Sequence, residues 1–574
     1  MIQEGILHRI DSEYAYPLDK ETLVVRLRVS KRDNFKSVEC LFNPAMRLIK
    51  TQQVAKMEIK YSDFDFNYYE ARLHNKFPSF SYLFKIVDAD NKVYFISDEG
   101  ITNNYDFALS QVSAFRYAFI NDDDLFKVNK KIEGRIFYQI FVDSFANGGY
   151  GDKNHITRSW DSNDLEAFKD KKYHPVFLGG DLKGVLNKLD YLKDLGIGAV
   201  YLTPIFKAMT NHKYDTIDYF QIDNMFGDVE LLKELVEEAH KRDILIFLDL
   251  VFNHTSYFHP FFQDVISKGK KSPYYDFYMI DGDKPDLKLR NYMTFSEGWL
   301  MPKLNGNNPK VRKYCSDVAL YYLEKCNVDG YRLDVSNELP HSFWMEFKSR
   351  LKEKKEDIFL IGECWYNAYS FLSPYEWDST MNYAFSFSAK EYFADRTLST
   401  QNFVNKLNLE LVRYREQTNR TLINLLDSHD VSRFYEYVKP NKDLYLLSEL
   451  FLISFIGCPM VYYGDEIFME GGNDPFNRRG MEWNSKVFDS QEFELIKKIY
   501  ALRKLNAFKE GEMKLSSFNE LLLIERSKDS ETFTIVINNT NEVKDFVPNG
   551  EVILSNEFEN NRLLPFGFAV VKIS

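Results

Sequence analysis

The period of the hydrophobic positions changes near residue 126 and divides the chain. Before that point apolar and polar residues alternate in short runs, as at Leu23, Val25, Leu27 and Val29 and again at Tyr82, Phe84 and Ile86. A period of two is that of a half-buried strand. The turn-forming stretch Asp88–Lys92 ahead of Val93–Ser97 reads as a hairpin. Residues 1–125 therefore predict an N-terminal β-sandwich. From 126 onward, apolar runs alternate with helical periods. The runs fall at 135–145, 198–206, 244–254, 329–338, 358–365, 379–385, 421–430 and 459–466. Between them, Asp228–Asp243 places Leu232, Leu235, Val236 and Ala239 on one face with Asp228 as N-cap, and Asn308-Pro309 opens another helix. Such alternation predicts a (β/α)8 TIM barrel over 126–505, with a loop-rich insertion after strand 3 at about 253–308. Short strands return over 506–574 as a small C-terminal β-domain.

Composition narrows the partners. The 574 residues carry 73 Lys and Arg against 85 Asp and Glu, a net charge of −12, which speaks against nucleic acid and anionic membrane surfaces. Five scattered cysteines without a CxxC pair suit reduced core thiols and a cytoplasmic location. The first residues lack the apolar core of a signal peptide, and no run approaches the ~18 apolar residues of a membrane span. Aromatics are plentiful, but no tryptophan precedes Trp160. The run Phe64–Glu70 in the sandwich is therefore open to three readings: sugar platform, subunit interface or core.

Chemistry gathers at the C-terminal ends of the barrel strands, the face where such barrels keep their active sites. The third strand ends in Asp249, Asn253 and His254, the fourth in Arg332 and Asp334, the fifth in Glu363, and the seventh in His429 and Asp430. Any one could be a satisfied polar group, and Arg332–Asp334 alone could be a buried structural ion pair. Four such ends on one rim would repel one another unless the site needs them. Metal-assisted hydrolysis would want HxH on the first strand or HExxH on a helix. Neither occurs. Two carboxyls working on a glycosidic bond fit better and need no metal at the reaction centre.

The stretches DLVFNH (249–254), GYRLDVSNE (330–338), GECW (362–365) and LLDSHD (425–430) resemble, in order and spacing, the four conserved regions of the α-amylase family of retaining glycosidases. NHKYDTIDYFQID (211–223), MPKLN (301–305) and YYGDEIFMEGGNDPFNRRGMEW (462–483) are similar to its neopullulanase, cyclomaltodextrinase and maltogenic amylase group. The resemblance implies Asp334 as nucleophile, Glu363 as general acid and base, and Asp430 as the third carboxylate. It implies His254, His429, Tyr214 and Arg332 around the central sugar, Arg332 holding Asp334 ionised, and Asp474 and Arg478 on more distant sugars. Asp249 is read as a structural partner and Glu338 as a rim residue of the leaving-side subsite. Retention predicts the Asp334 and Glu363 carboxyls ~5–5.5 Å apart. Cys364 and Tyr366, beside the acid, depart from the group's usual residues.

The resemblance further implies maltooligosaccharide, cyclodextrin or pullulan as substrate, a homodimer formed through the N-terminal domain, and a structural calcium. Asn147, Asp152, Gly179 and Asp181 are the calcium ligand candidates, with a plain loop turn as the alternative. Two other functions stay open: an α-1,6-glucosidase or transglycosylase of the same clan, and a non-catalytic glucan-binding relative, which would usually lack one of the three carboxylates.

Overall fold

The structure is a computed structural model that describes residues 2–45, 52–105, 113–151, 160 and 177–573. The described residues fall into two compact units. The first holds residues 2–128 with 398–419 and 515–517; the second holds 129–397, 420–514 and 518–573.

The first unit contains the expected sandwich. A four-stranded antiparallel sheet centres on Thr22–Ser30 paired with Phe66–His74, and a six-stranded sheet centres on Phe35–Asn43 paired with Phe80–Asp88. Leu23, Val25, Leu27, Val29, Tyr82, Phe84 and Ile86 all lie in its core, as period two requires. The hairpin after Asp88 turns through Asn91 at φ 63°. Helix Thr400–Val412 also belongs here: Asn408 Nδ2 donates to the Ser62 carbonyl at 3.0 Å. Arg26, buried and paired with Glu70 at 2.6 Å, donates to the Val412 and Tyr414 carbonyls.

The second unit carries a closed parallel barrel of eight strands: β1 (Phe137–Ile140), β2 (Ala199–Leu202), β3 (Leu245–Leu250), β4 (Gly330–Leu333), β5 (Phe359–Gly362), β6 (Ser379–Asn382), β7 (Ile423–Leu425) and β8 (Cys458–Tyr462). All eight expected runs contain a strand. The first is shorter than its apolar run, because Val142–Phe145 turn into helix. Phe137, Tyr201, Phe247, Phe359, Met381, Ile423 and Met460 fill the interior, so the barrel is a packed core. Asp228 caps Val229–Lys241 by accepting from Leu231 N, and Asn308 caps Pro309–Cys326 by accepting from Lys310 N. Between strand 3 and that second helix, the insertion contains a helix of its own, Pro260–Lys268, capped by His259. A six-stranded C-terminal sheet includes Leu521–Lys528, Glu531–Ile537 and Arg562–Lys572. Arg526 and Arg503 are buried at its junction with the barrel, where backbone carbonyls accept from both guanidiniums.

A second acid cluster lies buried beyond β7 and β8. Arg433 donates to Asp465 at 3.2 Å, and Glu449 accepts from Tyr500 Oη at 2.9 Å. Burial pushes Asp427, Asp465 and Glu466 up, and Glu449 to about 8. An unfolded glutamate titrates near ~4.3. The protonated Glu449 thus contributes stability that is complete below that value and lost as pH rises through about 8. Glu449→Gln, neutral at every pH, should show a smaller fall in Tm between pH 5 and 8.5 than the parent and melt higher at pH 8.5. Parallel slopes in calorimetry would contradict this.

Candidate active site

Register builds the site. Asp249 on β3 lies opposite Arg332 on β4, and period two returns Asp334 to the face of Arg332. Asp334 N donates to Leu250 O and Glu363 N to Leu333 O, both at 3.0 Å, so the two carboxylates follow the last residues of adjacent strands. Gly362 precedes the glutamate because no Cβ fits there: it would fall 2.2 Å from the buried Trp377 ring.

One guanidinium serves every acid. Arg332 Nη1 donates to Asp334 Oδ1 at 2.7 Å and to both Asp249 oxygens at 3.0 and 3.1 Å. Nη2 lies 2.9 Å from Glu363 Oε2, an ion pair without an aligned hydrogen bond, and 3.9 Å from Asp430 Oδ2. Glu363 Oε2 also accepts from Val335 N at 2.8 Å, and Oε1 accepts from Trp365 Nε1 at 2.9 Å. To present that amide, Val335 sits at φ 44°, a left-handed conformation that is costly for a β-branched residue.

The pairing of Arg332 with Asp334 is as expected, but its electrostatic outcome is not. Burial pushes Asp334 well up despite the guanidinium, and the nearby Glu363 and Asp249 charges push the same way. Burial likewise lifts Asp249 to about 6. One cation faces three buried carboxylates, so burial outweighs the guanidinium and the proton affinity of Asp334 lies above that of a simple ion pair.

The histidines are neutral. Burial holds His254 down to about 3 and His429 far below the usual imidazole range, with Arg478 and Arg332 adding to the latter. His429 N donates to Gln139 Oε1, which fixes the amide so that Gln139 Nε2 donates to His429 Nδ1 at 2.7 Å. The ring hydrogen is therefore on Nε2, beside Asp430 Oδ1 at 3.2 Å and Tyr214 Oη. Tyr214 stacks on the imidazole, 5.4 Å and 4° between planes. His254 stacks on Phe295 of the insertion and faces the Tyr214 carbonyl. Arg478 Nε donates to the His429 carbonyl and Nη1 pairs with Asp474 at 3.1 Å.

On the other side of Glu363, Trp365 lies flat on Tyr383, 4.2 Å and 10°, and Tyr383 Oη donates to Asp430 Oδ2 at 3.2 Å. Asn337 Nδ2 donates to Tyr366 Oη at 2.6 Å, and Lys303 reaches the Glu338 carbonyl at 3.3 Å. A cavity of about 460 Å³ runs between these walls, bordered by Tyr214, His254, Asp334, Glu363, Asp430, Asp474 and Arg478 among others. Seven of the nine residues proposed for catalysis and sugar binding border this cavity, and Arg332 and His429 reach it through their carboxylate partners. Gln139, Val335 and Tyr383 were missed. A polar Gln139 inside the apolar run RIFYQIF was the available signal; nothing in the sequence marks the backbone of Val335.

Three of the four calcium candidates lie among the described residues. Asp181 caps helix Leu182–Asn187, and its two oxygens accept from the amides of Gly184, Gly148 and Tyr150 at 2.6, 3.0 and 3.0 Å. Asn147 Oδ1 accepts from Gly149 N, and Gly179 N donates to Asp143. Asp152 lies outside the described residues, and among those described no group of three or more His, Cys, Asp or Glu could hold a metal.

A packed eight-stranded barrel with buried acids clustered past its C-terminal strand ends, beside neutral imidazoles and sugar-sized aromatic walls, defines a carbohydrate-active barrel enzyme. The chain belongs to the alpha-amylase family of glycoside hydrolases: the family's catalytic domain matches residues 139–527 and its N-terminal ig-like domain residues 1–121. It is 38% identical over 552 residues to a cyclomaltodextrinase of Geobacillus thermopakistaniensis (94% of this chain, 92% of that one). It is 37% identical over 509 residues to neopullulanase 2 of Thermoactinomyces vulgaris (88% and 84%). A solved structure titled cyclomaltodextrinase superposes with TM-score 0.90 at 31% identity, covering 100% of both chains.

Proposed function

We propose that the enzyme hydrolyses α-1,4 glucosidic bonds, and some α-1,6 bonds, in maltodextrins, cyclodextrins or pullulan through a covalent glycosyl intermediate on Asp334. The observation that carries this is the single guanidinium of Arg332 spanning Asp334 and Glu363 at adjacent strand ends. Asp334 attacks the anomeric carbon while Glu363 protonates the departing glycosidic oxygen. Glu363 then takes a proton from water, whose oxygen attacks the same carbon and releases Asp334. Asp430, with the Nε2 hydrogen of His429 beside it, holds the ring hydroxyls. Two inversions give net retention.

Incubation with maltotriose, panose, pullulan and a cyclodextrin, with the product anomer followed by NMR, tests the reading. The α-anomer is expected from the start; initial β-anomer would overturn the intermediate. Longer oligosaccharides accumulating early would favour the transglycosylase alternative, in which a sugar hydroxyl replaces water.

Three further parts of the reading rest on lighter support. A homodimer through the sandwich is favoured by its exposed Val54, Ile59, Phe64 and Phe119, and light scattering at 67.8 kDa would contradict it. A cytoplasmic location fits five buried free thiols. Structural calcium is tested by melting with and without chelator: a lower Tm restores Asp181 and Asn147 as ligands, and an unchanged Tm leaves Asp181 a helix cap.

A further inference from the structure

Glu363 has its two oxygens in different settings. Oε2 faces inward, taking the Val335 amide at 2.8 Å with Arg332 Nη2 at 2.9 Å. The Val335 amide and the Arg332 guanidinium thus both occupy the inner oxygen, which leaves Oε1 to serve a leaving group. That oxygen already accepts from Trp365 Nε1 at 2.9 Å. A glycosidic oxygen must come within roughly 2.6–3.2 Å of the same atom to receive a proton. The indole N–H holds one of the two acceptor directions of Oε1 and its ring borders the same cavity, so a leaving group meets the indole as it approaches that atom.

The indole is built to yield. It is 41% exposed and borders the cavity. One face rests on Tyr383, and Phe387 lies tilted beside it at 44° with 6.2 Å between centroids; these are its two aromatic neighbours among the described residues.

We propose that Trp365 is a positioning residue that latches Glu363 in the substrate-free enzyme, and that a sugar entering the leaving-side subsite displaces the indole before Oε1 can protonate the glycosidic oxygen. This rests on the function proposed above. Solvent supplies the proton to Oε1 once the indole N–H has gone; it then passes to the leaving oxygen as the C–O bond breaks and Asp334 bonds to the anomeric carbon. Protonation of the acid is thereby tied to occupation of the subsite. The other titratable groups acting on Glu363 are Arg332, Asp334, Asp249, His429, Tyr383 and Cys364, and none of them is substituted when Trp365 is changed.

Trp365→Phe keeps an aromatic ring on Tyr383 and removes only the donor. With maltotriose, the alkaline limb of kcat/KM, which reports the free enzyme, should move up by about 0.5–1 pH unit, while that of kcat stays in place. Limbs that both stay, or that move together, would overturn the latch. A second readout does not depend on that variant's stability. In protein labelled with 5-fluorotryptophan, the Trp365 fluorine resonance of Asp334→Asn enzyme should shift on adding maltotriose; saturation without a shift overturns displacement. Glu363→Gln separates the two readings. If it retains turnover, the function proposed for Glu363 fails; if it is inactive while the Trp365→Phe profile matches the parent, only the latch fails.

Discussion

Asp334→Asn should lose at least about 10⁴-fold in kcat on maltotriose with an unchanged fold, because the amide keeps the shape of the side chain and removes the nucleophilic charge. Asp334 is the carboxylate that Arg332 Nη1 approaches most closely, at 2.7 Å, and it is buried to 6% exposure. Its surroundings push the proton affinity of the carboxylate up, chiefly by burial. The neutral asparagine is therefore tolerated, and the protein should melt at or above the parent temperature at pH 7. Loss of turnover with retained stability separates a catalytic charge from a structural one: a purely structural ion pair would show the reverse. Undiminished hydrolysis by the purified variant would sink the assignment of Asp334.

The barrel was legible because its strands announce themselves twice. Apolar runs such as ILIFLDLVFNH mark the buried length, and the charges at their ends mark the rim. Caps were equally readable, since Asp228 and Asn308 are the residue types whose short side chains reach back to the amides of the first helical turn. The helix Pro260–Lys268 was not, because its cap is His259 and its aromatic content masks the period. Nor was the placement of Thr400–Val412 with the sandwich, which hangs on tertiary contacts such as Asn408 to Ser62. The identity of the acids and imidazoles came through strand-end chemistry and motif resemblance. The direction of the Asp334 shift did not. Pairwise reasoning sees one arginine beside one aspartate, whereas the folded site sets three buried carboxylates around one cation, and the balance depends on that count.

The same count makes Arg332 the residue whose loss should cost the fold most. Arg332→Met keeps much of the side-chain length but leaves Asp249, Asp334 and Glu363 facing one another without a counter-charge. Removing one partner of a buried ion pair typically costs ~3–5 kcal/mol, since the remaining charge is neither solvated nor paired. Here three acids share one partner, so the upper part of that range is expected, with hydrolysis abolished. The pH dependence carries the sign of the effect. In the variant the acids must take up protons to stay buried, so folded-state proton affinities rise further above their unfolded values. Stability is then greatest below the unfolded carboxylate range near ~4 and falls as pH rises through the raised folded values. Asp249 already titrates at about 6 with the guanidinium present. The Tm deficit of Arg332→Met against the parent should therefore be small near pH 4.5 and grow steadily to pH 8. A deficit independent of pH would mean that Arg332 acts by packing against Tyr201 and Met381 rather than by charge. Adding Asp249→Asn to Arg332→Met discriminates further: removing one of the stranded acids should restore part of the lost Tm at pH 8 and almost none at pH 4.5, without restoring hydrolysis.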